Sequence, residues 1–162
     1  MADVDVSKRG FLSRTMRLLG VVAVLQASWI AISALAPGRR EKPRTDGPGV
    51  RTAGPIERFE PGTVTAIPDG GFFIVRLEDG GFLALHRKCT HLGCSVPWDA
   101  EQNRFACPCH ASAFDMRGDV ISAPAPRPLD LFPVAIENGV VKVDTGQLIR
   151  RTSFEPDQVV RA

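Results

Sequence analysis

Tyrosine is absent from this 162-residue chain, so no phenol can donate a hydrogen bond or a proton anywhere in it. Cysteine is held to four residues and histidine to three. Any site built from them is small, and its position is set by where they fall. No apolar period of 3.6 residues runs for a useful length through 62–146, which argues against a helical domain there. There is no internal repeat, which excludes a solenoid or propeller. A net charge of +2, with most of the excess near the N-terminus, leaves no nucleic-acid footprint.

Charge is missing altogether from 18–36, a run of 19 residues. As a helix it spans roughly 28 Å, close to the hydrocarbon thickness of a bilayer. Arg14 and Arg17 precede the run, and Arg39, Arg40, Lys42 and Arg44 follow it. The two flanks nearly tie by the positive-inside rule. Ser7-Lys8-Arg9-Gly10-Phe11-Leu12 resembles a twin-arginine export motif with Lys in place of the first Arg, and it breaks the tie. The expectation is a cytoplasmic N-terminus over 1–17 and a single-pass anchor over 18–36 in a bacterial cytoplasmic membrane, with the remainder on the periplasmic or extracytoplasmic side. Ala34-Leu35-Ala36 has the small-x-small form of a cleavage site. Pro37 directly after it is a poor residue to have beyond a cut, so the anchor is read as uncleaved.

Residues 37–61 are rich in Pro, Gly and charge and read as a flexible linker. As a coil its 25 residues reach roughly 25–30 Å. The basic residues here and beside the anchor would meet lipid headgroups or partner subunits. Residues 62–146 read as an all-β head. The apolar runs 72–77 and 81–85 are joined by Glu78-Asp79-Gly80, and 134–136 and 140–143 by Glu137-Asn138-Gly139; both are hairpin signals. The tail, 147–162, is polar and reads as solvated and peripheral.

The cysteines and two of the histidines fall between those hairpins, in Cys89-Thr90-His91-Leu92-Gly93-Cys94 and Cys107-Pro108-Cys109-His110. Two thiols and two imidazoles, as Cys-x-His and then Cys-x-x-His, make an asymmetric four-ligand set. Structural zinc takes the same donors, but gives no reason for two further cysteines, Cys94 and Cys109. A zinc module would be colourless. His86 ends an apolar run and reads as a strand-end side chain.

These two boxes resemble those of the Rieske iron–sulfur proteins, in the disulfide-bearing branch of cytochrome bc1 and b6f complexes. The resemblance implies a [2Fe-2S] cluster in an antiparallel β-sandwich head with inserted cluster-binding loops. It implies Cys89 and Cys107 on one iron, His91 and His110 on the other, and a Cys94–Cys109 disulfide. Ser112 resembles the family's donor to a bridging sulfide. Phe114 stands where the family often has a tyrosine that donates to a ligand sulfur. A hydrogen bond to a charged acceptor is worth roughly 1.5–3 kcal/mol, on the order of 60–130 mV for one electron. A lower potential than in relatives with both donors is therefore expected, suited to a low-potential quinol such as menaquinol. Ala123-Pro124-Ala125-Pro126 resembles the proline loop over the cluster, with Ala123 and Ala111 in place of glycines. Proline's fixed φ and missing N–H suit a stiff, water-excluding cover.

The implied function is electron transfer in a membrane quinol:cytochrome c type oxidoreductase of a respiratory chain. His110 or His91 would take the quinol's proton as the cluster takes the electron. Leu92 and Pro124 would collar the rings. The partners implied are a cytochrome b-type subunit and a c-type cytochrome or copper protein, so the chain alone is not a complete enzyme. The alternative is a relay subunit of another exported oxidoreductase, such as an arsenite oxidase or a membrane-associated hydrogenase.

Overall fold

The computed structural model describes residues 3–35 and 49–162, which fall into a helical unit and a β unit. Helix α1 runs Asp3–Leu35. Within it Gly10–Ile32, 23 residues of mean hydropathy 1.6 with none buried, is long and apolar enough to cross a membrane. That stretch is roughly 34 Å of helix. It begins ahead of the charge-free run because a bilayer tolerates Arg14 and Arg17 near a helix end, where long side chains reach the interface. Leu18, Leu25, Trp29 and Ile32 all face outward. The hydroxyls of Thr15 and Ser28 donate back to the carbonyls of Phe11 and Val24 at 3.2 and 2.8 Å, so they need no outside partner. Ala36 and residues 37–48, expected to end the anchor and begin the linker, lie outside the described residues.

In the β unit the runs 72–77 and 81–85 are apolar at successive rather than alternate positions, and the sheet they form is covered on both faces. Three antiparallel sheets are present. The first joins β1 (Val50–Pro55) to β11 (Val140–Asp144) and β11 to β10 (Val134–Glu137). The second has the order β2 (Thr63–Ile67), β3 (Phe72–Arg76), β4 (Phe82–His86) and β9 (Leu131–Phe132). The third is built from the short strands β5 (Trp98–Asp99), β6 (Arg104–Ala106), β7 (Ala113–Phe114) and β8 (Val120–Ser122).

Side chains alternate across a strand, and the second sheet uses both sides. Phe72, Ile74, Phe82 and Ala84 enter one core with Val134, Val141 and Val143 of the first sheet. Phe73, Val75, Leu83 and Leu85 enter another with Phe105 and Phe114 of the third sheet, and with Cys89 and Cys107. A strand buried on both faces reads as continuous hydrophobicity. Both expected hairpins are present. In the β10–β11 turn Asn138 and Gly139 have φ 51° and 75°, the two positive angles that a tight two-residue hairpin turn requires.

Two expectations need correction. Strand β1 lies inside the 37–61 segment read as linker, so the head starts by Val50 rather than at Gly62. Its composition is unpromising, but Ala53 and Phe59 are buried and the strand is held by pairing with β11, about ninety residues away. Such non-local pairing overrides local propensity. The 147–162 tail is not a solvated end either. It is a strap: Ile149 bridges Leu131, Val160 bridges Phe82, and Arg151 and Val159 are buried.

Candidate metal centre

Two loops leave the second and third sheets and close with one hydrogen-bond scheme. In the first, the N–H of Cys89 donates to the carbonyl of Cys94 at 2.8 Å, and that of Gly93 to the carbonyl of Cys89 at 2.9 Å. In the second, the N–H of Cys107 donates to the carbonyl of Ser112 at 2.8 Å, and that of Ala111 to the carbonyl of Cys107 at 3.1 Å. The fourth residue after the leading cysteine is left-handed in both: Gly93 at φ 80° and Ala111 at φ 60°. Glycine takes that shape freely, while an L-residue bears roughly 1–2 kcal/mol of strain. Ala111 therefore holds the second loop in the fold of the first against a local cost.

The scheme points each leading cysteine inward, and Cys89 and Cys107 are 3% and 4% exposed and free of any disulfide. Histidine sits two residues after Cys89 and three after Cys107, so both rings reach the outer end. Their centroids are 5.0 Å apart, nearly perpendicular at 88°. His91 is half-buried and His110 exposed. The remaining cysteines meet across the loops as a Cys94–Cys109 disulfide with Cα atoms 6.6 Å apart. The sulfurs of Cys94, Cys107 and Cys109 lie within 4.8 Å of one another. Two of those are spent in the disulfide, so Cys107 packs directly against the clasp.

Residues 123–128, between β8 and β9, cover a third side. The Ala123–Pro124 peptide is cis, Pro124 is exposed, and Ala125 is buried. The N–H of Ala125 donates to the Ser112 hydroxyl oxygen at 3.0 Å, leaving that hydroxyl's own hydrogen free to donate elsewhere. Ser112 is fully buried and hydrogen-bonds the Cys89 sulfur. Thr90 Oγ1 donates to the carbonyl of Arg127 at 2.5 Å, tying the first loop to the same cover. Arg127 forms a two-point ion pair with Asp130, one arm at 3.2 Å. Leu92, next to His91 in the chain, is 70% exposed. Phe114 is wholly buried in the core that holds Cys89 and Cys107.

Burial pushes the Cys89 thiol above its ordinary value, and its neighbour Cys107 adds to the shift. The His91 N–H and the Ser112 hydroxyl act the other way. Two thiols in contact, hidden from water, become thiolates only against a strong positive charge, which is what a bound metal supplies. The donor set is thus two buried sulfurs on one side and two imidazoles on the other, asymmetric in softness and in access. His86 takes no part. It ends β4 with its ring 5.2 Å from Phe132, a strand-end side chain as expected.

The sequence pattern of the Rieske [2Fe-2S] domain matches residues 52–133. This chain belongs to the Rieske [2Fe-2S] family. A cytochrome b6-f complex iron-sulfur subunit of Chlorobaculum tepidum is 31% identical over 144 residues, covering 88% of this chain and 78% of that one. The chloroplastic cytochrome b6-f complex iron-sulfur subunit of Bigelowiella natans is 47% identical over 72 residues. That match covers 43% of this chain but 29% of the relative, so the alignment spans under a third of that protein's length. The quaternary ammonium Rieske monooxygenase CntA with L-carnitine shares the fold at a TM-score of 0.50 and 18% identity, over 60% of this chain and 32% of that one.

As a Rieske domain the head carries a [2Fe-2S] cluster, and two free buried thiols with two neighbouring imidazoles offer donors that fit one. Thr90, Arg127, Asp130 and Arg151, which hold the loops together, were not singled out from sequence. Their contacts span 22 and 37 residues in two cases, and no local pattern marks them.

Proposed function

We propose that Cys89, Cys107, His91 and His110 ligate the cluster, thiolates on the buried iron and imidazoles on the outer one. On this reading the chain is the electron-transfer subunit of a quinol-oxidising cytochrome bc-type complex. The observation that carries it is the exposed His110 ring beside His91, directly outside a buried cysteine pair clasped by a disulfide. An imidazole open to solvent gives a proton-accepting nitrogen at the same edge through which the electron enters. The relatives' role in cytochrome b6-f complexes and the apolar α1 helix support the same reading.

When bound, the cluster takes up and returns one electron. The ring nitrogen of His110 left free by ligation would accept a hydrogen bond from a quinol hydroxyl and take its proton. His91, half-covered, is the second acceptor. Leu92 and the loop around Pro124 keep water from the thiolates, and Ser112, held by the Ala125 N–H, donates toward the sulfur side. Phe114 has no hydrogen to give, which lowers the potential and suits menaquinol. A cytochrome b-type subunit supplies the quinol pocket's other wall, and a c-type cytochrome or copper protein receives the electron. Helix α1 crosses the bacterial cytoplasmic membrane with its N-terminus inside, and the head, exported folded by the twin-arginine-like motif, works outside. There a disulfide persists.

A redox difference spectrum of the protein purified with its native partners in mild detergent tests this. Co-purifying b-type haem that quinol reduces is the expected result. A Rieske signal with no b-type haem would replace this reading with the relay-subunit one.

A further inference from the structure

The C-terminal strap buries one charge, and that charge is aimed at the foot of the proline loop. Arg151 is 5% exposed. Its Nε donates to the carbonyl of Leu129 at 2.8 Å, Nη1 to Gln158 Oε1 at 3.0 Å, and Nη2 to the carbonyl of Arg117. Burying a guanidinium is costly unless its donors are used, and here three go to fixed acceptors. Leu129 is fully buried, and its N–H donates to the carbonyl of Gly118 at 2.9 Å. Gly118 is left-handed at φ 82°, and a Cβ there would meet Arg151 Nη2 at 2.5 Å and Leu129 Cβ at 3.3 Å. Residues 117, 118, 129 and 151 are therefore one knot, closed around a position without room for a side chain.

The knot lies just below the contacts that matter to the metal centre. Two residues before Leu129, the Arg127 carbonyl receives Thr90; four before it, Ala125 donates to Ser112. We propose that Arg151 is a positioning residue for the cluster: by tying the Leu129 and Arg117 carbonyls it fixes the proline loop, so that the Ala125 N–H holds the Ser112 hydroxyl toward the sulfur side. The assignment rests on the ligand reading above. Releasing the loop frees the hydroxyl to rotate, and the reduced, more negative cluster loses a donor.

The test uses the full-length holoprotein in mild detergent, as wild type, Arg151→Gln, Arg151→Lys and Arg161→Ala. Arg161 sits on the same strap but pairs with Asp79 at the surface, so it controls for disturbing the strap. Two quantities are read: amide exchange at Ala125, and the midpoint potential by redox titration of the cluster signal. Arg151→Gln is expected to speed exchange at Ala125 by about tenfold or more, the scale of one charged hydrogen bond. The potential falls with it, while exchange in β3 and β10 stays unchanged. Arg151→Lys keeps the charge but cannot reach both carbonyls with one ammonium, so it shifts both readouts the same way. Arg161→Ala moves neither.

Unchanged exchange at Ala125 in Arg151→Gln overturns the proposal, as does a uniform rise across every strand. Should Arg151→Gln not fold, Arg151→Lys decides alone. A wild-type potential in Arg151→Lys despite fast Ala125 exchange also overturns it, because charge rather than position would then set the potential. Absence of a Rieske signal in the wild type would instead sink the ligand reading, leaving Ala125 exchange to judge the loop contact by itself.

Discussion

Phe114 gives the core around the metal centre a large side chain with no hydrogen to donate. It is wholly buried in the core that holds Cys89 and Cys107, the proposed thiolate ligands, so a phenol O–H there would be placed among sulfurs to which it could donate. Phe114→Tyr is expected to raise the midpoint potential by on the order of 60–130 mV, one charged hydrogen bond expressed for one electron. Redox titration of the purified variant checks it, and an unchanged potential would mean the added oxygen does not reach the cluster. At His86, outside the site, burial lowers the pKa below 6.5; Lys88 adds to this and Asp130 opposes it. Below the unfolded value the unfolded chain therefore binds more protons at this residue than the folded one does. The contribution is fully present above about pH 6.5 and is lost as pH falls through the folded value. His86→Gln should lose less stability than wild type between about pH 7.5 and about pH 5 in urea unfolding; equal losses would refute the assignment.

What could be read from the sequence at the scale of elements depended on whether the signal was local. The Glu78-Asp79-Gly80 and Glu137-Asn138-Gly139 turns announce their hairpins because the turn residues themselves dictate the backbone. The two boxes were equally plain, since the four proposed ligands lie in two short stretches, 89–94 and 107–110. Strand β1 was hidden: Val50 pairs Asp144, and Arg51 pairs Val143. The strands of two or three residues that carry the second loop are too short to show any period. The strap was hidden for a further reason, because its buried groups are an arginine and a single valine, Val159, rather than an apolar run. Gly81 shows the strap's grip. A Cβ there would lie 2.2 Å from Val159 Cγ1, so Gly81→Ala should destabilise the head by roughly 1–3 kcal/mol, the cost of overpacking. Adding Val159→Ala should recover part of that loss, since the two changes share one contact. Urea unfolding of the single and double variants reads the coupling, and strict additivity would show that the strap yields without strain.

Across the whole molecule, the two cores on either side of the central sheet divide stability from chemistry. The core of Phe72, Ile74, Phe82, Val141 and Val143 contains none of the four proposed ligands, whereas Cys89 and Cys107 sit in the other. The disulfide, closing 15 residues, limits how far the ligand loops can part, and by the chain-entropy estimate it contributes about 3 kcal/mol. Removal of the cluster by a chelator, with the disulfide intact, should therefore loosen the site without unfolding the head. Amides of 89–94, 107–112 and 123–128 are expected to exchange faster, and those of β3, β4, β10 and β11 to keep their protection. The opposite pattern, in which all strands open together on cluster loss, would make the metal part of the folding core rather than a guest of it. The distinction bears on assembly: a head that is already a stable frame before the cluster arrives needs only its loops to close around it, and Ala111, left-handed at a cost, is among the residues that closure must hold.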